Sequence, residues 1–433
     1  MNQYIEPEVL KGTRDFLPLD MAKRDFVMKH ITSVFRSFGY DSVQTPAIEY
    51  AKTILGKYGE DSDKLIYRFK DNGGRDIALR YDQTVPFARL VAANFQNLPI
   101  PFKRYQVGNV WRGDRPAKGR YREFCQCDID IIGTKNLLAE AEIAKVVYSV
   151  LARLGFPKFV IKFNSRRFLN SVLSDLKIAE EKQVAVIRIL DKFDRIGLEG
   201  VEIELNKILS KETISALRRI INLEGSNSEK INSFKKYDTA EILQFLQLTK
   251  SLEIPECNLQ FTPSLARGLD YYTGITFEVF IPGADIGAVC AGGRYDNLCE
   301  LFTSENLSGV GVAFGFDRIV IAMEQLGMLK KIRLSSRVLI TYFEAATLPA
   351  SLEVFNELTS EKISAEIYFE PAPLKKQLKY ADKKGIPFVI FLGEEEIRKQ
   401  QVKIKFMDTG KEKVIPRDQI SIYLKCFYEQ TEK

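Results

Sequence analysis

At 433 residues the chain exceeds what one hydrophobic core supports, so two or three domains are expected. With 45% hydrophobic and 28% charged residues it has a soluble globular composition, and no run approaches the ~20 apolar residues that span a bilayer. The formal net charge of +6 permits an anionic partner such as RNA without requiring one.

The opening segment, MNQYIEPEVLKGTRDF, has no apolar run behind a basic start, so neither a signal peptide nor a transit peptide is expected. Residues 20 to 38 have helical spacing, with Phe26, Ile31, Val34, Phe35 and Phe38 on an apolar face. The chain's single histidine, His30, lies on this helix and is expected to be structural. A Ser-His-Asp triad and a His-ligated metal are thereby disfavoured. Chemistry must come from carboxylates, arginines, tyrosines and backbone. Of the six cysteines only Cys125 and Cys127 lie close, and C-x-C lacks the paired spacing of a zinc site. Free thiols in a reducing cytoplasm are expected.

DSVQTPAIEY predicts a short strand interrupted by Pro46, and residues 76 to 92 a strand leading into a helix with Thr84 as its N-cap. PFKRYQVGNVWRGD and YREFCQCDIDIIG predict antiparallel partners joined by the Gly-, Pro- and charge-rich GDRPAKGR. Residues 137 to 154 are expected to be helical. From about 165 to 255 the chain turns rich in Lys, Glu, Ile and Leu at helical spacing and poor in Gly and Pro, which predicts a helical insertion. RGLDYYTGITFEVF, VCAGGRYDNL and SGVGVAFGFDRIVIAME predict strands and tight turns ending in a helix. A boundary is expected near 330 to 336, and beyond it RVLITYF, AEIYFE, PFVIFLG and VKIKFMD alternate with helical runs as in a small α/β domain.

Two groups of residues stand out. Arg112, Arg115, Arg120 and Arg122 gather with Lys118 around one hairpin loop, while Arg267, Arg294 and Arg318 sit in Gly-punctuated segments. Guanidinium groups on strands and turns beside glycine suit bidentate contacts to phosphate or carboxylate. A solvated basic hairpin tip is the plainer reading of the first group. No GxxxxGK[ST] loop is present, and GVGVAFGFDR lacks the spacing of a dinucleotide site. The second group is acidic and aromatic: Asp82 and Thr84, then Gln126, Asp128 and Asp130 on one strand face, and Tyr271 and Tyr272. Burying two carboxylates and an amide on one face is costly unless they meet a cation or a donor-rich ligand. Cys127, Ile129 and Ile131 occupy the other face, so periodicity alone leaves open which one is wet.

In this order the segments resemble the signatures of class II aminoacyl-tRNA synthetases, and specifically the histidyl-tRNA synthetase family. KGTRDFLP at 11 to 18 resembles the family's N-terminal motif, and the first helix plus VQTPAIEY the dimer-forming class motif with its proline. RYQVGNVWRGDRPAKGRYREFCQCDIDIIG resembles the second motif, and GVGVAFGFDRI the third. RGLDYYTG at 267 to 274 and AGGRYDNL at 291 to 298 are similar to runs that separate the histidyl enzyme from its class relatives.

The resemblance implies an α+β fold. An antiparallel catalytic sheet flanked by helices would occupy residues 1–330, interrupted by the insertion, with an α/β anticodon-binding domain at 335–433. It implies a cytoplasmic homodimeric ligase that uses ATP and Mg²⁺, without a dedicated protein metal site, to join L-histidine to tRNA(His). Histidine would be bound by Asp82, Thr84, Gln126, Asp130, Arg267, Tyr271 and Tyr272. ATP would meet Arg112, Asp114, Arg120 and Arg318, and Arg112 and Arg267 would be catalytic. Asp114 departs from the glutamate that most of the class places against adenine. A site that hydrogen-bonds both imidazole nitrogens can discriminate by ~10⁴ without editing, so no editing domain is expected and the insertion is expected to clamp the tRNA acceptor arm. The competing readings are a synthetase-like regulatory subunit of histidine biosynthesis, which lacks the C-terminal domain and ATP-binding arginines, and a non-catalytic RNA-binding protein.

Overall fold

The computed structural model describes residues 4–57, 63–266 and 272–431. The chain divides into two compact units, one of Met1–Asp15 and Asp25–Lys330, the other of Phe16–Arg24 and Lys331–Lys433. Among the described residues no helix is long and apolar enough to cross a membrane.

The chain enters through α1 (Pro18–Ser37), whose Val27, Ile31, Val34 and Phe35 are buried at spacings of four, three and one, a single helical stripe. His30 lies off that stripe, donating from Nδ1 to the Phe26 carbonyl at 2.7 Å. Next come β1 (Asp41–Ser42), β2 (Ile48–Tyr50), the short α2 (Ala51–Ile54), β3 (Arg68–Lys70) and β4 (Asp76–Leu79). The predicted run around Pro46 is thus two short strands. β2, β4 and β3 form a small antiparallel sheet of their own.

α3 (Thr84–Asn94) begins at Thr84 itself, so Thr84 is not its cap. Asp82 does that work: its Oδ1 accepts from the Val85 amide at 3.1 Å, satisfying a donor of the first turn.

The large sheet is built from β5 (Phe102–Trp111), β6 (Glu123–Ile132), β7 (Val160–Ser165), β8 (Leu259–Phe261), β9 (Ile275–Phe280), β10 (Cys290–Tyr295) and β11 (Gly309–Gly315), with β1 at one edge. Its order is β1-β5-β6-β11-β10-β9-β7-β8, parallel only at its two edge pairs. β5 and β6 pair from Phe102↔Ile132 to Trp111↔Glu123, the predicted hairpin in full register. At the tip of its loop Gly119 turns with φ +68°, a conformation glycine adopts at little cost. The sheet's Cys127 side packs on α1, where Met28 Sδ lies 3.7 Å from Cys127 Sγ and Phe35 meets Phe314.

α4 (Leu138–Arg153) follows β6, and α11 (Phe316–Gln325) follows β11. Between β7 and β8 lie α5 (Arg166–Asp175), α6 (Glu180–Leu190), α7 (Phe193–Leu205), α8 (Lys211–Ile221), α9 (Asn227–Ser233) and α10 (Ala240–Ser251). Their starts are locally encoded. Ser165, Ser210 and Ser226 accept amide hydrogen bonds as N-caps, and Ser226 with Glu229 forms a reciprocal capping box.

A buried ion pair joins α4 to β10. Arg294, 5% exposed, offers Nε and Nη2 to the Glu140 carboxylate, which is fully buried, and donates from Nη1 to the Thr134 carbonyl at 3.0 Å. Arg294 is therefore committed to architecture rather than to a ligand. The bidentate carboxylate contact expected on sequence is present, but the carboxylate is the protein's own.

The second unit is a five-stranded sheet ordered β13-β12-β14-β15-β16, with β12 (Val338–Ile340), β13 (Ala365–Ile367), β14 (Phe388–Phe391), β15 (Gln401–Phe406) and β16 (Glu412–Pro416). The first three strands pair in parallel and the rest antiparallel. Val338, Ile340, Ile390, Ile404 and Leu424 share one core, and Leu339, Val389 and Ala381 another on the opposite face. β16 is a strand the sequence pattern did not suggest, because Glu412 and Lys413 mask its alternation.

Glu140→Ala leaves the Arg294 guanidinium buried without its counter-ion, a loss of about 3–5 kcal/mol in typical proteins. Denaturant unfolding of the first unit is expected to shift accordingly, whereas Lys236→Ala, which breaks an exposed pair with Asp175, is expected to leave the unfolding midpoint nearly unchanged.

Candidate functional site

A cavity of about 370 Å³ opens against the large sheet. Asp82, Thr84, Arg112, Asp114, Arg120, Gln126, Asp130, Tyr272 and Arg318 all line it. These residues come from five separate stretches of the chain and converge on one space. Arg267 and Tyr271 lie outside the described residues.

One wall is the inward face of β6. Gln126, Asp128 and Asp130 point into the cavity while Cys127 and Ile129 are buried on the far side, so both faces are covered and the acidic one meets the cavity. Asp130 is only 2% exposed. Arg104, its cross-strand partner on β5, places Nη2 2.6 Å from Asp130 Oδ2, and the Tyr295 hydroxyl donates to Oδ1 at 2.5 Å. Burial raises the Asp130 carboxyl above the usual carboxylate range, against the opposing pull of Arg104 and of the Tyr295 hydroxyl. Arg104 is itself fully buried, its guanidinium carbon 4.3 Å from the centre of the Phe87 ring.

Beside β6 in the same sheet, β11 and β10 line the cavity with nearly bare backbone. A Cβ on Gly311 would stand 2.0 Å from Asp130 Oδ1, and one on Gly292 would stand 2.1 Å from the Gly311 carbonyl oxygen. Glycine at both positions keeps this part of the cavity open and lets Asp130 lie against β11.

The basic residues are held by backbone carbonyls and aromatic rings. Arg112 donates from Nε to the Tyr81 carbonyl at 3.0 Å and lies between the Tyr81 and Phe124 rings, 4.3 Å and 5.2 Å from their centres. Arg318 donates from Nε to the Gly119 carbonyl at 3.1 Å and from Nη1 to that of Ala288 at 2.7 Å, tying the hairpin loop to the β9–β10 connection. Arg120 stays exposed, 3.9 Å from Asp114 Oδ1. Arg115, Lys118 and Arg122 do not join the lining: Lys118 pairs with Asp285, and Arg122 donates to the Lys11 and Asp114 carbonyls.

The N-terminal KGTRDF segment reaches this site through Arg14, which lies 3.3 Å from the centre of the Tyr121 ring and pairs with Asp317 at 2.7 Å. Asp317, in the first turn of α11, also accepts from the Cys125 amide at 2.8 Å. The helical insertion reaches it through Arg166, whose amide donates to the Gly274 carbonyl at 2.9 Å and whose Nε donates to that of Tyr272 at 3.3 Å.

Sequence reasoning missed Arg104, Tyr295, Asp317 and Arg14 as site residues. A signal for Arg104 existed: once the hairpin register is set, Arg104 falls opposite Asp130, an arginine and an aspartate facing each other inside an apolar pair of strands. Nothing in the local pattern marks Tyr295 or Asp317, whose roles come from pairing across distant strands.

The family described as histidyl-tRNA synthetase matches residues 12–319, and an anticodon binding domain family matches residues 337–427. A histidine–tRNA ligase of Treponema denticola is 40% identical over 429 residues, covering 94% of this chain and 95% of its own. The crystal structure of a histidyl-tRNA synthetase from Nostoc sp. PCC 7120 superposes with a TM-score of 0.86 at 26% identity, covering 98% of this chain and 99% of that one. A Bacillus halodurans structure described as an ATP phosphoribosyltransferase regulatory subunit/histidyl-tRNA synthetase shares the fold, with a TM-score of 0.75 at 21% identity over 90% of this chain and 99% of its own. By the matched span, by identity over nearly the full length and by fold, the chain belongs to the histidyl-tRNA synthetase family.

Proposed function

We propose that the protein is a histidine–tRNA ligase that condenses L-histidine with ATP to histidyl-adenylate and transfers the histidyl group to the 3′ end of tRNA(His). The observation that carries this reading is the convergence of the arginines and the acid-bearing face of β6 on one cavity. The C-terminal match to an anticodon-binding family favours the ligase over the regulatory reading.

In this proposal the α-amino group of histidine meets Asp82, Thr84 and Gln126. The imidazole lies between Asp130 and Tyr272, with Tyr271 beside it and one ring nitrogen donating to the carboxylate. Arg112 holds the α-phosphate, Arg120 and Arg318 the outer phosphates, and Asp114 meets adenine through its shorter side chain. Arg267 bridges the histidine carboxylate and the α-phosphate. The attacking carboxylate is already ionised at neutral pH, so no general base is needed. Its oxygen bonds to the α-phosphorus as the bond to the pyrophosphate oxygen breaks, and pyrophosphate leaves. Arg112 and Arg318, fixed beforehand by backbone carbonyls, offer positioning and charge without reorganisation. In the second step a ribose hydroxyl of the tRNA attacks the acyl carbon, AMP leaves, and a phosphate oxygen of the adenylate accepts the hydroxyl proton.

Among the described residues no group of three or more His, Cys, Asp or Glu could hold a metal ion. Mg²⁺ fits as an ion carried on the triphosphate, where oxygens and water satisfy it, and no protein ligand is assigned to it. Bound there it would neutralise charge on the outer phosphates. A homodimer is supported by the small sheet, where Ile48, Tyr50 and Phe69 form an exposed apolar face that a second copy would cover. The chemistry and the free thiols suit a cytoplasmic location.

Pyrophosphate exchange into ATP is expected to require histidine, and charging is expected with tRNA(His); absence of histidine-dependent exchange would leave the regulatory or RNA-binding reading. Asp130→Ala is expected to raise KM for histidine far more than KM for ATP, by about tenfold or more, since it removes a charged hydrogen-bond partner, and to lower the melting temperature, since it leaves buried Arg104 without its counter-ion. Arg267→Ala should lower the adenylation rate by about 10²–10³ with unchanged thermal unfolding. Wild-type rates in that variant would remove Arg267 from the mechanism.

A further inference from the structure

Asp128 has no role in that scheme, yet it is the most anomalous group in the cavity wall. It lies on the inward face of β6, is 2% exposed, and neither carboxylate oxygen has a hydrogen-bond partner. Gln126 Oε1, next on the same face, is likewise without one. A carboxylate taken out of water with nothing to accept from is normally eliminated or paired.

The surrounding groups do not supply that partner. Those facing Asp128 are Arg80 after β4, Asp82 before α3, Arg104 on β5, Arg112 at the end of β5, Asp130 on its own strand and Cys290 on β10. Arg104 directs Nη2 to Asp130, Arg80 donates to the carbonyls of Asn109 and Thr45, and Arg112 donates to that of Tyr81. The cross-strand neighbour Gln106 donates its amide to Thr45. Arg104 Nε and Nη1 are buried and also lack partners, yet neither reaches the Asp128 oxygens, so what remains is a run of acceptors along one strand face, open toward the cavity, that no donor here satisfies. The complementary ligand group is a cation with several N–H donors, which describes a primary ammonium.

We propose that Asp128 is a further substrate-binding residue, its carboxylate joining Gln126 Oε1 to receive the α-ammonium of the amino-acid substrate. This rests on the histidine reading above and adds to it a charged contact selective for the free amine. A consequence follows for protons. Burial pushes the Asp128 carboxyl well above the usual carboxylate range; Arg104 and Arg112 pull it down, while Asp130 and Asp82 push it further up. Burial thus favours the neutral acid in the free protein, and an arriving ammonium favours the carboxylate. To the extent that the free carboxyl holds its proton, forming the ion pair releases that proton to solvent. Through this group histidine binding tightens as pH rises, until the pH passes the carboxyl's free-state value.

Calorimetric titration at neutral pH, in two buffers of different ionisation enthalpy, tests this with histidine and with imidazolepropionate, which keeps the ring and carboxylate but lacks the amine. Asp128→Asn is expected to weaken histidine by about 10- to 100-fold, the range of a charged hydrogen bond, while leaving imidazolepropionate little changed. It should also remove proton release seen with histidine in the wild type. Wild-type affinity and proton release in the variant would overturn the proposal alone. Equal weakening of both ligands, or a lowered melting temperature with both weakened, would make Asp128 a structural residue and overturn it as well. A wild-type protein that binds neither ligand would sink the histidine reading together with this one.

Discussion

The buried contact between Arg104 and Asp130 is the interaction on which the site's architecture depends. It places a cation and an anion, both nearly stripped of water, opposite each other in the β5–β6 pair. Such a pair is tolerable only where the geometry is close and other polar partners complete it. Here the Tyr295 hydroxyl, from two strands away, supplies the second contact. Register between β5 and β6, the approach of β11 and the position of β10 are therefore coupled, since a slip in any one would strand a charge in the core. The same arrangement leaves one edge of an acidic strand facing a cavity, which a polar cationic ligand can exploit.

Around this centre the chain uses segments far apart in sequence as ties. Arg14 brings the N-terminal motif onto Asp317, at the start of the helix that carries Arg318. Arg318 in turn fastens the hairpin loop through the Gly119 carbonyl. Arg112 and Arg318, which face the cavity, are oriented by neutral backbone carbonyls, and Arg112 also by ring faces. Arg294 shows the opposite outcome: with Glu140 wrapped around it, its charge is consumed within the fold.

Much of this is legible in the sequence. The strand–helix unit at Asp82, the arginine-rich hairpin and the Gly-punctuated strands each carry strong local patterns, and the cavity residues named from them converge. The two-residue period also separated Asp130 from Ile129, though it could not say that both faces are covered. What stayed hidden depends on pairing over distance. Arg294 and Arg318 look alike in sequence, each in a Gly-containing run, and only the position of Glu140 on α4 separates an architectural arginine from a cavity one. Thr84 resembles a helix cap, but the earlier Asp82 performs that task because its carboxylate reaches the Val85 amide. β16 escaped notice because charged residues at an exposed strand break the apolar alternation.

The bare wall formed by Gly292 and Gly311 constrains how this pocket can change over evolutionary time. Every other amino acid adds at least one carbon, and at these two positions that carbon would overlap a carboxylate or a neighbouring carbonyl. No graded series of substitutions exists there, so drift in selectivity is channelled to other lining residues such as Thr84 and Tyr272, whose side chains can be resized stepwise. One half of the pocket thus behaves as a fixed mould and the other as its adjustable part.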